Sequence, residues 1–208
     1  MPSSIWHKRW EPPWDNKVRT DAKLIQQGVL PQTGHLVRQG NTTRLEPFCV
    51  SPKGEEMELI LWRHAEAEPG EPDAARILTA KGHKQAGKMA EWLDRNLPDS
   101  CKILSSPATR TVQTAEALGR KFKTHPALFT DTTPQAALTA LHWPDKRETV
   151  LVVGHQPTLG RIASLLIAGI EQDWIIRKGS IVWIAQKAPG EAESNYLKAV
   201  LGPDMACK

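Results

Sequence analysis

Three short stretches of the chain hold residue types that could act together. Arg63 and His64 stand side by side in Leu61-Trp62-Arg63-His64-Ala65-Glu66. Arg110 lies in Ser105-Ser106-Pro107-Ala108-Thr109-Arg110-Thr111-Val112-Gln113-Thr114, and His155 in Val152-Val153-Gly154-His155-Gln156-Pro157. A neutral imidazole is a nucleophile at neutral pH. A guanidinium is a planar fork that binds oxyanions through two parallel hydrogen bonds. Two of each would suit a reacting phosphoryl group, whose charge spreads over three oxygens and asks mainly for positioning and electrostatic stabilisation. Taken singly, each stretch has a plain alternative: a chance dipeptide at a strand end, a solvated arginine on a helix, a core histidine. Only together do they suggest a site.

Such a site requires elements that deliver the four side chains to one crevice. Glu58–Trp62 reads as a short apolar strand, and Lys102–Ser105 as a second. Glu148–Gly154, β-branched and nearly continuous, has the composition of a strand buried on both faces. Each of the three stretches follows one of these strands, and open α/β sheets bind ligands beyond the carboxyl ends of their strands. Thr79 has the character of an N-cap before a helix with Ala86, Met89, Ala90, Leu93 and Leu97 on one face, ended by Pro98-Asp99. Pro107 suits the first turn of a helix running to about Lys121. A helix carrying Leu159, Ile162, Ala163 and Leu166 follows His155, and Ser180–Ala185 and Tyr196–Val200 supply two late strands. The alternation predicts an α/β domain in three layers, with a mostly parallel central sheet and helices on both faces.

Four blocks in this order, Arg63-His64-Ala65-Glu66, Leu78-Thr79-x-x-Gly82, Ser105-Ser106-Pro107-x-x-Arg110-x-x-Gln113-Thr114 and Val153-Gly154-His155-x-Pro157, resemble the histidine phosphatase superfamily, and the fold expected from it is phosphoglycerate mutase-like. The compact length and the His-x-Pro ending are similar to its small phosphohistidine phosphatase (SixA-type) branch. The resemblance implies that His64 is the nucleophile that is transiently phosphorylated. It implies that Arg63, Arg110 and a protonated His155 bind the phosphoryl oxygens, and that Arg76 lines the pocket. Ala65 departs from the family's glycine, and its methyl would crowd the backbone unless its φ is negative.

The leaving group separates subtypes. Expelling an alkoxide calls for a positioned acid. Larger members of the family supply a glutamate before the last block, and here Asp131 is the one carboxylate in Leu128–Pro134, so it is the candidate acid, with a loop or cap aspartate as the alternative. An imidazole leaving from phosphohistidine needs less help. The expected activity is removal of phosphate from phosphohistidine on a partner protein, a phosphotransfer domain or phosphocarrier, with no metal or cofactor. The alternatives are a phosphomonoesterase of small molecules and a silent phosphate-binding module, the last disfavoured by the intact histidines.

Composition sets outer limits. The chain has 208 residues and a net charge of +4, without the basic stripe of a nucleic-acid binder. No apolar run is long enough for a membrane span. Cys49, Cys101 and Cys207 lack metal-ligand spacing and suggest reduced thiols in the cytoplasm. The domain is expected over 57–208. Residues 1–56, proline-interrupted, read as irregular apart from a short helix around Lys17–Gln27. They are expected to be dispensable and even untranslated, with Met57 as the start; the competing reading has Trp6, Trp10 and Trp14 dock on the domain or a partner.

Overall fold

The computed structural model describes residues 56–144, 148–187 and 194–206. The expectations for the irregular extension and its helix lie outside these residues.

Among the described residues a six-stranded sheet carries four α-helices. The strands are β1 (Met57–Arg63), β2 (Lys102–Ser105), β3 (Lys123–Thr124), β4 (Thr149–Gly154), β5 (Ile181–Gln186) and β6 (Asn195–Leu201). Their order is β3-β2-β4-β1-β5-β6. β3, β2, β4 and β1 run parallel, while β5 and β6 join antiparallel at one edge. The helices are α1 (Ala80–Asn96), α2 (Thr109–Glu116), α3 (Pro134–Ala140) and α4 (Thr158–Ala168).

Successive strand residues point to opposite faces, and β1 divides accordingly between two cores. Ile60 and Trp62 join Leu151, Val153 and Ile181 beneath Met89, Ala90 and Leu93 of α1 and Ala115 of α2. Leu59 and Leu61 join Val150, Val152, Val182 and Ile184 beneath α3 and α4, through Ala137, Leu159, Ile162 and Ala163. The fold is therefore a three-layer α/β sandwich with a mostly parallel centre, as the alternating pattern implies.

One expected helix is shorter than its pattern, and one helix is additional. The helix expected from Pro107 to Lys121 is shorter, because Pro107 precedes the N-cap residue Ala108 and Gly119 turns into the left-handed region at φ +69°. A further helix, α3, follows Asp131, where the sequence pattern assigns no element. Thr133 caps it by accepting from Ala136 N at 3.2 Å, and Pro134 fills its first turn.

Candidate functional site

β1 and β4 are hydrogen-bonded neighbours in register, with Arg63 opposite Gly154. The residues immediately after them, His64 and His155, are thereby set side by side. His64 N donates to Gly154 O at 3.1 Å, and the two ring centroids are 5.3 Å apart. On the other side of β4, Ser105 pairs with Val153, and the chain turns through Ser106 into α2, which carries Arg110. Arg110 Nη2 donates to His155 Nδ1 at 3.3 Å. The structure thus brings His64, Arg63, Arg110 and His155 to one end of the sheet.

The hydrogen bonds fix both tautomers. Ala65 O can only accept, so His64 Nδ1, 2.7 Å away, carries the proton and Nε2 keeps its lone pair. A guanidinium can only donate, so His155 Nδ1 is the acceptor, and Nε2–H donates to Ser106 Oγ at 2.8 Å. Both imidazoles are buried, at 7% and 3% exposure, between cationic neighbours. Burial pushes His64 down to about 4 and His155 down to about 3, and the Arg110 charge adds to each effect. The protonated His155 expected from sequence is accordingly a neutral imidazole in the ligand-free site.

The blocks around the histidines hold the loop that follows β1. Thr79 caps α1 by accepting from Gly82 N at 2.8 Å, and its own amide donates to Glu66 O at 3.0 Å. Gln113 Oε1 accepts from Leu78 N at 2.7 Å, and Thr114 Oγ1 from Ala65 N at 3.1 Å. Ala65 is fully buried, and the one non-glycine residue with positive φ among the described residues is His142, so the methyl at position 65 meets no backbone penalty. Gly82 is required sterically, since a Cβ there would lie 2.0 Å from Glu66 O. We expect Gly82→Ala to destabilise the domain by about 2–3 kcal/mol, the scale of an overpacked core. A urea midpoint equal to wild type would show that the loop yields freely.

Arg63 is oriented differently. Its Nη1 donates to Ile176 O at 2.7 Å. The segment bearing Ile176 is held by Gln156, whose Nε2 donates to Trp174 O at 2.7 Å while its Oε1 accepts from Gly160 N at 2.9 Å. Gln156 therefore positions Arg63 at second hand, a role invisible in its dipeptide context. The Nε atoms of Arg63 and Arg110 are buried without a hydrogen-bond partner among the described residues.

Asp73, which the sequence reading passed over, sits on Arg110. Its Oδ2 accepts from Arg110 Nη2 at 2.8 Å and its backbone carbonyl from Nη1 at 2.5 Å. Arg76 Nη1 donates to the other carboxylate oxygen at 2.8 Å, and Arg76 Nε to Glu68 O at 2.7 Å. Arg76 thus reaches the site through Asp73 and makes no described contact with either histidine. Hydrogen bonds from Arg76 and Arg110 hold the Asp73 carboxyl below the usual range. An acid three residues before Arg76 was the available signal. Asp131 lies exposed in the loop before α3 and makes no hydrogen bond to a described residue; its neighbour Thr132 accepts from Thr158 Oγ1 at 3.2 Å. The structure does not bring it to the histidines by any described contact.

The model of the histidine phosphatase superfamily (branch 1) matches residues 59–132. An uncharacterized protein of Picosynechococcus sp. is 34% identical over 123 residues, covering 54% of this chain and 74% of that one. The chain belongs to the histidine phosphatase superfamily. A second relative, an uncharacterized protein of Mycobacterium tuberculosis, is 33% identical over 111 residues, 50% of this chain and 68% of that one. Among solved structures, the protein histidine phosphatase SixA complexed with tungstate superposes with a TM-score of 0.62 at 23% identity, over 71% of this chain and 98% of that one. A phosphoserine phosphatase variant of Entamoeba histolytica in complex with phosphoserine superposes at 0.54 with 16% identity, over 72% and 98%. These likenesses show the phosphoglycerate mutase-like fold, and superfamily membership supports a phosphatase activity. No helix among the described residues is long and apolar enough to cross a membrane.

Proposed function

We propose that this phosphatase removes phosphate from phosphohistidine on a protein, through a phosphohistidine formed on its own His64. The observation that carries the reading is the state of His64: neutral, with Nδ1–H tied to Ala65 O and the Nε2 lone pair unengaged. Nε2 attacks the phosphorus, the bond to the substrate's imidazole breaks, and that imidazole leaves with the bonding pair. A phosphohistidine protonated on its second ring nitrogen leaves as neutral imidazole, so no proton moves in this step. Water then attacks the phosphorus, the bond to Nε2 breaks and dihydrogen phosphate departs, again without an added acid. Arg63, Arg110 and His155 hold the oxygens, and a bound phosphoryl anion raises the proton affinity of His155 that burial suppresses.

An alkoxide leaving group is the harder case, because it must be protonated as it departs. Asp73 is held as a carboxylate by two guanidiniums, and Asp131 is exposed and has no hydrogen bond to a described residue. Both facts favour a substrate that needs no acid. The second reading, a phosphomonoesterase of small molecules, is favoured by the likeness to the phosphoserine phosphatase. In that reading, and for slow monoester turnover by this chain, Asp131 remains the proposed acid.

A comparison of substrates tests both. The wild-type protein should hydrolyse a phosphohistidine peptide with kcat/KM at least about 100-fold above that for p-nitrophenyl phosphate. Asp131→Asn should slow an alkyl monoester such as glycerol 2-phosphate about 100-fold, the lower end of the range of general acid catalysis, and the phosphohistidine peptide less than twofold. Faster turnover of small phosphomonoesters than of the peptide would decide for the second reading, and equal losses in Asp131→Asn would remove that residue from the site.

A further inference from the structure

Beside Arg63 lies a cleft of about 270 Å³ that neither His64 nor His155 lines, and its walls are unevenly charged. Arg63, Lys81, Arg177 and Lys178 contribute four cations, against the carboxylates of Glu66 and Asp204. Lys81 is paired with Glu66 at 3.1 Å, and Arg177 faces Asp204 at 3.7 Å. That leaves Arg63, turned to a backbone carbonyl, and Lys178, which has no ion pair among the described residues. Lys178 is also close enough for its charge to disfavour protonation of His64. An open cleft with two uncompensated cations, sharing the Arg63 wall with the reacting centre, is a place for a second anion carried by the same substrate.

The rim says what carries that anion. Ile175 borders the cleft and is 86% exposed, while the next residue, Ile176, is buried. A small phosphorylated acid could neutralise Lys178 but could not cover a protruding isoleucine three residues away. A protein surface could do both, placing a carboxylate in the cleft and apolar area over Ile175.

We infer that the Lys178 cleft receives an acidic side chain lying close to the phosphohistidine of a partner protein, with Ile175 as the apolar contact beside it. The inference rests on the phosphohistidine reading above and adds to it a substrate preference for acidic surroundings. The charge pair governs encounter and binding, so its effect falls on KM and fades as salt screens it.

Two synthetic peptides test this, each phosphorylated by phosphoramidate on a single histidine, one with two glutamates within three residues and its sibling with two lysines. Each rate is divided by the same protein's rate with p-nitrophenyl phosphate, which cancels any general loss of active enzyme. The wild-type protein should favour the glutamate peptide at least about tenfold at low ionic strength, through KM, and the preference should shrink at high salt. Lys178→Glu should bring the ratio to one or below, Lys178→Gln should fall between, and Ile175→Ser should raise KM for both peptides together. A wild-type ratio near one, or a ratio unchanged in both Lys178 variants, overturns the cleft's role while leaving phosphohistidine hydrolysis standing. A wild-type protein that hydrolyses the aryl phosphate and leaves both peptides intact overturns the phosphohistidine reading, and this inference with it.

Discussion

His64→Ala should lower turnover of a phosphohistidine peptide by about 10⁴-fold or more, the scale on which loss of a covalent nucleophile acts elsewhere. The size of the effect follows from the site. His64 Nε2 is the ring nitrogen left with a free lone pair, since the neighbouring His155 spends Nδ1 on Arg110 and Nε2 on Ser106. No second imidazole is poised to replace it. Alanine also leaves the surrounding frame in place: Ala65 stays bonded to Thr114, and Arg110 to Asp73. The variant should still bind tungstate or phosphate with an affinity within about tenfold of wild type, and rapid quenching should trap acid-labile phosphate on the wild-type protein alone. Retention of most of the activity by His64→Ala, or a phosphoenzyme of equal yield in the variant, would remove His64 from the role proposed for it.

Why the four basic residues were legible while their partners were not is a matter of range. A strand end followed by a functional residue is a local signal, and β1 and β4 announce themselves by apolar runs, β4 by a β-branched one. Parallel pairing in register then does the rest, because Arg63 opposite Gly154 obliges His64 and His155 to adjoin. The Thr79 cap and the close approach at Gly82 are equally local. Asp73 is different. It meets Arg110 across 37 positions from an exposed turn without periodicity, and its one local mark is Arg76 three residues on. Gln156 works through Trp174 O and a distant segment for the same reason. Asp131 drew notice by being the one carboxylate in its stretch, a criterion of composition that carries no geometry. α3 escaped because seven residues, about two turns long and rich in alanine, are too few to show a helical period, although Thr133-Pro134 has the cap-and-proline signature in view. The charge state of His155 depends on burial between β4 and α2, a tertiary property that no single-sequence pattern contains.

That burial has a second, thermodynamic consequence. In the unfolded chain both imidazoles titrate near 6.5, whereas in the fold His64 is held at about 4 and His155 at about 3. Below pH 6.5 the unfolded chain therefore binds protons that the folded domain refuses, and stability falls as pH falls. The contribution is fully present above about 6.5 and is lost progressively as pH descends through 4 toward 3. Between pH 7 and pH 4 one such imidazole accounts for about 3 kcal/mol, which for a domain of this size corresponds to a fall in Tm of roughly 10 °C. The two rings lie 5.3 Å apart, so protonating one opposes protonating the other, and their losses do not simply add. Ordinary carboxylates also titrate in this range, and a variant separates their share. Asn at position 64 can offer an amide N–H to Ala65 O but takes no proton, so His64→Asn should lose about 3 kcal/mol less than wild type between pH 7 and pH 4 in urea unfolding. The same shift predicts that the acid limb of kcat/KM, set by His64 in the free enzyme, lies nearer pH 4 than 6.5. Parallel pH–stability curves for wild type and His64→Asn, together with an acid limb at 6.5, would mean that His64 titrates as an exposed histidine and that its neutral, proton-refusing state is not a property of the site.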